Sequence, residues 1–383
     1  MKLTTNIKIS LPIITALMML ILAACSPKGE SDNKQGLALY NKGQYNSAVT
    51  SFEAAIAANK RVPEYYVNLG MTYIELENYT GALTQFNLAL ELDAGNRLAR
   101  RGRGIAELAL GNYDEALEAF AEVLSSANGI VGTLELDILD YRAIAEAKSG
   151  DCKAAINTYT TLINADYRTT EHYFLRGQVY LLDSNLDCAV SDFNQTLKNN
   201  TDCTAYLNIY GILAAAGYTD EARTFLSQAL TDGVKGDDFS FALIYYYMED
   251  YTNALIKFAS AKEGGNYQAL LYVSRIYRLQ GNTLQAKNAL LEYLTHDNSN
   301  AEVYNRLGLI SISENDYSSA LSYFQTGILT NDASLMQELK WNEIVCHEYL
   351  GDFKTACSKA GEYVTLYPDD AAALREYEFL KTR

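Results

Sequence analysis

A period of 34 residues constrains this chain more than any other feature of its sequence. The stretch Tyr66-Val67-Asn68-Leu69-Gly70-Met71-Thr72-Tyr73 is followed by a break near Asn78 and then by Tyr79, Ala82, Phe86 and Ala89. One period upstream, the same offsets hold Gly36, Tyr45, Ala48, Phe52 and Ala55; one period downstream they hold Gly104, Tyr113, Ala116 and Phe120. Recurrence at this length means stacked supersecondary units, each too small to bury its apolar face alone. A chain of 383 residues would otherwise suggest about two or three globular domains. A stacked array lengthens without needing a new core, so length sets no domain count here.

Alanines mark the second half of each unit: Ala48, Ala82, Ala116, Ala155, Ala189, Ala222, Ala254, Ala286, Ala320 and Ala356. Four residues after each stands an aromatic or leucine in nine units, Phe52, Phe86 and Phe120 among them, and Ala360 in the tenth. Twelve before, a small residue recurs at Gly36, Gly70, Gly104, Ala143, Gly177, Ala242, Ser274 and Gly308. Each unit therefore reads as two helices of about a dozen residues, with the break marked by Gly43, Gly111, Gly150, Gly217, Gly281 and Gly351. A helical glycine costs about 1 kcal/mol relative to alanine. Its repetition implies that the first helix passes close against the alanine of the second, with the aromatics filling the wedge between hairpins.

This pattern resembles the tetratricopeptide repeat, a helix–turn–helix unit of the same period. The resemblance covers roughly residues 29–368 and is strongest in units one, two, three, five and nine. It implies an all-α fold, an α-solenoid of about ten hairpins in a right-handed superhelix. The proline that often closes a unit in that family survives only as Pro368. Extra residues Ala127–Thr133, with Gly129 and Gly132, suggest a kink between units three and four. After Pro368, Asp369-Asp370 suits a helix start, and Leu374, Tyr377 and Leu380 give one apolar face, as a terminal cap requires. The array thus occupies residues 32–368 and a C-terminal capping helix 369–383.

Residues 1–24 have the layout of an export signal: Lys2 and Lys8, then an apolar run from Leu11 to Leu22 that is short for a bilayer span. Leu22-Ala23-Ala24-Cys25 resembles the lipobox of bacterial lipoproteins. That resemblance implies cleavage between Ala24 and Cys25 and a diacylglyceryl group on the Cys25 thiol. Two acyl chains suffice for stable anchoring. Residues 25–31 would be a lipidated cysteine and polar tether, holding the array outside the cytoplasm on the cell membrane or outer membrane. An ordinary secretory signal with a chance cysteine, or an uncleaved anchor, is the alternative. Net charge is −16, and loss of the leader leaves 29 basic against 47 acidic residues. Such a surface repels nucleic acid and anionic lipid, so membrane attachment would be through the lipid alone.

No catalytic constellation emerges. His172, His296 and His347 are unpaired in sequence and read as surface or loop residues; no Cys-x-x-Cys, nucleophile elbow or phosphate loop occurs. Gly102-Arg103-Gly104 lies inside a helix without the strand or third glycine of a dinucleotide site. Neither enzyme activity nor a cofactor or metal is expected. Five cysteines remain beyond Cys25, and Cys346 and Cys357, symmetric about Gly351-Asp352, are expected to face each other and bridge. A Cys152–Cys188 bridge is a weaker expectation, leaving Cys203 over.

In the resembled family, first helices line a concave face that receives a peptide or partner helix. One subgroup clamps a carboxyl terminus with Lys, Asn and Arg on successive first helices, a set this chain does not fill. The residues expected to project inward are Val67, Met71, Ile74, Arg101, Phe174, Tyr246, Tyr247, Arg275, Arg278, Arg306, Trp341 and Tyr349. Apolar and aromatic anchors interspersed with arginine are the composition of protein-interaction surfaces. The expected function is a scaffold or assembly factor at the bacterial envelope, binding a protein or peptide partner. A solute- or glycan-capturing lipoprotein and an accessory subunit of an envelope enzyme are the alternatives.

Overall fold

The computed structural model describes residues 28–127, 131–198, 200 and 202–383. The expected signal segment, its Ala24–Cys25 junction and Gly129 lie outside these. Among the described residues the chain forms 21 helices, with one isolated bridge between Asp202 and Lys235 and no strand. None of these helices is long and apolar enough to cross a membrane. The fold is an α-solenoid whose helices pair into hairpins, and it divides into two compact units, up to Asn200 and from Thr201.

The first unit holds α1 (Glu30–Tyr40), α2 (Tyr45–Ala58), α3 (Pro63–Glu75), α4 (Tyr79–Leu92), α5 (Arg97–Leu110), α6 (Tyr113–Ser125), α7 (Thr133–Ser149), α8 (Cys152–Asn164), α9 (Thr169–Leu182) and α10 (Leu186–Leu197). The second holds α11 (Cys203–Ala215), α12 (Thr219–Thr231), α13 (Asp238–Tyr247), α14 (Tyr251–Glu263), α15 (Ala269–Leu279), α16 (Thr283–Leu294), α17 (Ala301–Ser313), α18 (Tyr317–Leu329), α19 (Met336–Tyr349), α20 (Phe353–Leu366) and α21 (Ala371–Leu380).

One turn joins the helices of every hairpin. Five residues before each marker alanine, the backbone enters the left-handed region: at Gly43, Gly111, Gly150, Gly217, Gly281 and Gly351, and also at Glu77, Ser184, Glu249 and Asn315. The next residue donates its N–H back to the carbonyl five positions earlier, as Asn78 does to Tyr73 at 2.8 Å and Asp352 to His347 at 2.9 Å. This is a Schellman closure, and the same residue then serves as N-cap of the second helix. Asn78, Asp151, Asn185, Asp250, Asp316 and Asp352 each accept from a backbone N–H three residues on. Stop and start signals thus share one residue, which explains the near-constant spacing.

The marker alanines are fully buried, but the recurring glycine has a different neighbour from the one the sequence suggested. A Cβ at Gly70 would lie 2.7 Å from Phe86 Cε1, one at Gly177 2.7 Å from Phe193 Cε1, and those at Gly36, Gly104 and Gly308 would be closer still to Phe52, Phe120 and Phe324. The glycine makes room for the aromatic ring of its own hairpin, not for the alanine. Phe86 is also met by Gly102 of the next hairpin, which accounts for both glycines of Gly102-Arg103-Gly104.

Successive first helices are also tied by polar pairs about one period apart. Asn68 donates to Asn33 at 2.9 Å, Tyr40 to Glu75 at 2.9 Å and Asn305 to Glu338 at 2.8 Å.

Two details differ from expectation. Helix α1 begins at Glu30 behind Gly29, so Glu30 and Ser31, placed in the tether, form its first turn. Just after the extra residues, Glu135 accepts from Gly132 N–H at 2.8 Å and pairs with Arg97, tying α7 to α5. In α21 the packed face is Ala373, Tyr377 and Leu380, while Leu374 is exposed.

Candidate interaction surface

The expected inward residues separate into two groups. In the first unit Val67 and Ile74 are buried, as are Ile105 and Leu108 one hairpin on; all four belong to a single apolar cluster, with Met71 packed against it. They are core, because α3 and α5 pack directly on one another. Arg101 is buried too, its guanidinium paired with Asp137 (Nη2–Oδ1 3.1 Å) and lying 5.3 Å from the Tyr141 ring centroid. Burial alone would lower the Arg101 pKa, but the hydrogen bond and charge of Asp137 outweigh it and the pKa is raised. Phe174 is half-buried against Phe193. Val67, Ile74 and Arg101 are therefore not groove residues.

His172, read as a surface residue, is fully buried: Nδ1 lies 2.6 Å from the Tyr167 carbonyl and Nε2 3.1 Å from Asp140 Oδ1. His347 is buried as well, while His296 is exposed and stacks on Tyr267.

The second unit keeps its first-helix side chains partly open. Tyr246 and Tyr247 of α13 are half-buried and pack edge to face, and Tyr246 meets Tyr272 of α15 in the same way at 5.3 Å. Tyr272 in turn stacks on Phe258 at 5.3 Å. Burial, then the neighbouring Tyr272, pushes the Tyr247 hydroxyl up to about 12. Arg275 lies 5.0 Å over the Tyr272 ring. Beside it, Arg306 of α17 pairs with Glu302, whose Oε1 is also 3.6 Å from Arg275 Nη2. Arg278 is exposed and makes no ion pair among the described residues. Two guanidiniums, those of Arg275 and Arg306, thus share the Glu302 carboxylate, and Arg278 stands one helical turn after Arg275. Burial, followed by the repulsion of Arg275 and Arg278, holds Arg306 below its ordinary pKa in spite of Glu302.

Trp341 and Tyr349 are brought together on α19. With Val345, Glu348, Phe353 and Glu376 they line an open cleft of about 410 Å³. Tyr349 is 64% exposed and stacks on Tyr317, whereas Trp341 leans on Tyr363. Sequence reasoning missed Tyr272 and Glu302, which organise the arginines. Tyr272 stands 33 residues after Phe239, with which it packs, so tracking aromatics one period apart would have found it.

The expected Cys346–Cys357 bridge does not form, and all five described cysteines are free. Cys346 points into the cluster of Ala301, Ala320, Phe324 and Leu339, on the side of the preceding hairpin, and Cys357 packs against Ile344, Ala356 and Ala360. Symmetry about the turn put them at matching heights but on different faces.

Helical hairpins closed by a left-handed turn, five of them seating their own aromatic ring against a first-helix glycine, define a stacked-hairpin α-solenoid. Residues 33–97, 68–129 and 142–202 match one form of the tetratricopeptide repeat and residues 301–332 another. Among curated proteins, serine/threonine-protein phosphatase T of Aspergillus oryzae is 34% identical over 89 residues, 23% of this chain and 19% of its own length. Protein CTR9 homolog of Arabidopsis thaliana is 22% identical over 349 residues, 77% of this chain and 31% of its own length. The chain therefore spans less than a third of either relative. Among solved structures, the type IV pilus biogenesis factor PilW aligns with a TM-score of 0.46 and 16% identity over 52% of this chain and 91% of its own.

Proposed function

We propose that this chain is a protein-interaction scaffold that captures a protein or peptide partner on the first-helix face of its second unit. The observation that carries this reading is the contrast in burial: Val67, Ile74, Ile105 and Leu108 are sealed in the first unit, whereas Tyr246, Tyr247, Arg275, Arg278, Trp341 and Tyr349 keep exposed surface in the second. Partly exposed aromatics beside arginines are the side chains on which binding energy concentrates in protein interfaces. A glycan platform is less well supported, because edge-to-face packing of Tyr246, Tyr247 and Tyr272 occupies ring faces that a sugar would stack on.

The scaffold works at the bacterial cell envelope as a lipoprotein anchored through Cys25. The sequence Leu22-Ala23-Ala24-Cys25 after an apolar run supports this, and Cys25→Ala should release the chain from the membrane fraction. For the binding face, a photo-crosslinking residue at Tyr349, 64% exposed, is compared in cells with one at Leu284, 69% exposed on a second helix. A discrete crosslinked species at position 349 and none at 284 is expected. Equal or absent crosslinking would remove the assignment of this face.

A further inference from the structure

The feature that the scaffold reading leaves unexplained is charge. The chain carries −16, yet Arg275 of α15 and Arg306 of α17 share a single acid, Glu302, and Arg278 follows Arg275 by one helical turn. Glu302 satisfies Arg306 and leans toward Arg275, leaving a local excess of about two positive charges by count. The side chain of Arg306 is only 21% exposed, so its charge is partly withdrawn from water beside two like charges. Like charges held this close cost stability unless a further anion joins them. Neither solubility nor internal pairing requires the arrangement, because Arg278 is exposed and makes no ion pair among the described residues.

The surroundings narrow the anion. Tyr272 lies under Arg275 and meets Tyr246 edge to face, and Leu309, 42% exposed, stands three residues after Arg306 on α17. A ligand reaching Leu309 and the arginines must combine carboxylate with apolar side chains. A guanidinium fork accepts a carboxylate through two parallel hydrogen bonds. At physiological ionic strength fields decay over about 8 Å, so the overall negative charge repels a long polyanion along its whole length but leaves a short acidic segment to the local cluster.

We propose that this arginine face is the receptor for an acidic peptide segment of the protein partner, with a peptide carboxylate between Arg278 and Arg306 and an apolar peptide side chain against the exposed Leu309. The proposal rests on the scaffold reading and gives it a ligand class. These arginines lie on two successive first helices and do not reproduce the Lys–Asn–Arg clamp for a chain terminus, so an internal acidic segment serves as well as a terminal one.

The test is fluorescence anisotropy with the full chain and a short labelled peptide in which glutamates flank phenylalanine. Controls are its counterpart with lysine at every glutamate and a single-stranded oligonucleotide. Saturable binding of the acidic peptide is expected, weakened about tenfold by Arg278→Glu and by added salt, with no binding of the lysine peptide. Because Arg278 is exposed and makes no ion pair among the described residues, Arg278→Glu should not lower the melting temperature, and in binding Arg278→Gln should fall between wild type and Arg278→Glu. Absence of binding, equal binding by Arg278→Glu, or preference for the lysine peptide or the oligonucleotide overturns the proposal. Crosslinking from position 349 separates the two failures: a partner still captured by Arg278→Glu keeps the scaffold and removes the acidic segment, whereas no partner in either protein removes the scaffold.

Discussion

Two glycine-to-alanine substitutions, both inside helices, should shift stability in opposite directions. At Gly70 a Cβ would stand 2.7, 2.9 and 3.0 Å from Phe86 Cε1, Cζ and Cδ1. Carbon atoms at ordinary contact sit about 3.5–4.0 Å apart, so ring and helix must separate by most of an ångström. Phe86 is fully buried and its Cε1–Cζ edge is also approached by Gly102, which restricts the room the ring has to yield. Overpacking of this kind costs about 1–3 kcal/mol, and the gain in helix propensity returns at most about 1. The net loss for Gly70→Ala is therefore about 0–2 kcal/mol, toward the upper end because the ring is fully buried. Gly211, in α11, has nothing within 4 Å of the same added atom, so Gly211→Ala should gain about 1 kcal/mol. For compact units of this size, 1 kcal/mol corresponds to roughly 2–4 °C in melting temperature. Far-UV circular dichroism melts, with urea titration as a second measure, read both. Gly70→Ala at or above the wild-type melting point, or Gly211→Ala below it, would refute the clamp.

Three further outcomes follow from the same structure. Arg101→Met leaves Asp137, 1% exposed, as an unpaired buried charge and should cost about 3–5 kcal/mol, whereas Arg101→Met with Asp137→Leu should recover most of the loss; urea titration of both variants decides it. Glu348 is pushed up to about 7 by burial and then by the charge and hydrogen bond of Glu376. Its folded pKa thus exceeds its unfolded value, so the folded state binds the extra proton and stability falls as pH rises from about 4.5 through 7. Hydrogen exchange in α21 should quicken over that window, and Glu348→Gln should flatten the dependence. Non-reducing peptide mapping should recover the Cys346 and Cys357 peptides separately, and native maleimide labelling should favour Cys357, since burial raises the Cys346 thiol to about 11.

What the sequence disclosed and what it hid divide along a physical line. Gly70, Ala82 and Phe86 were legible because every hairpin faces the same packing problem and solves it with the same residue types. Ala143 and Ser274 show the tolerance of that solution, since the alanine column carries the register where the glycine is lost. The rotation of each first helix about its own axis was not legible. Val67 and Phe239 hold equivalent places in their repeats, yet one is buried and the other packs in a partly open aromatic cluster. That difference depends on how closely the next first helix approaches, which a single period cannot encode. Arg101 misled for the same reason: its partner lies 36 residues away on α7, so an apparent groove cation is half of a buried pair.

Phe86, met by Gly70 of its own hairpin and by Gly102 of the next, also bears on how such a stack responds to force. Its ring belongs to two hairpins at once, so a hairpin cannot be peeled away without wetting an aromatic side chain of its neighbour. Pulled from one end, the first unit should yield in steps longer than a single hairpin. Where the first helix carries no second glycine facing back, as between α17/α18 and α19/α20, the coupling rests on softer aliphatic contacts such as Gly327 with Leu339. An array built from one repeated part therefore resists extension unevenly, stiff where a ring is shared and compliant where it is not.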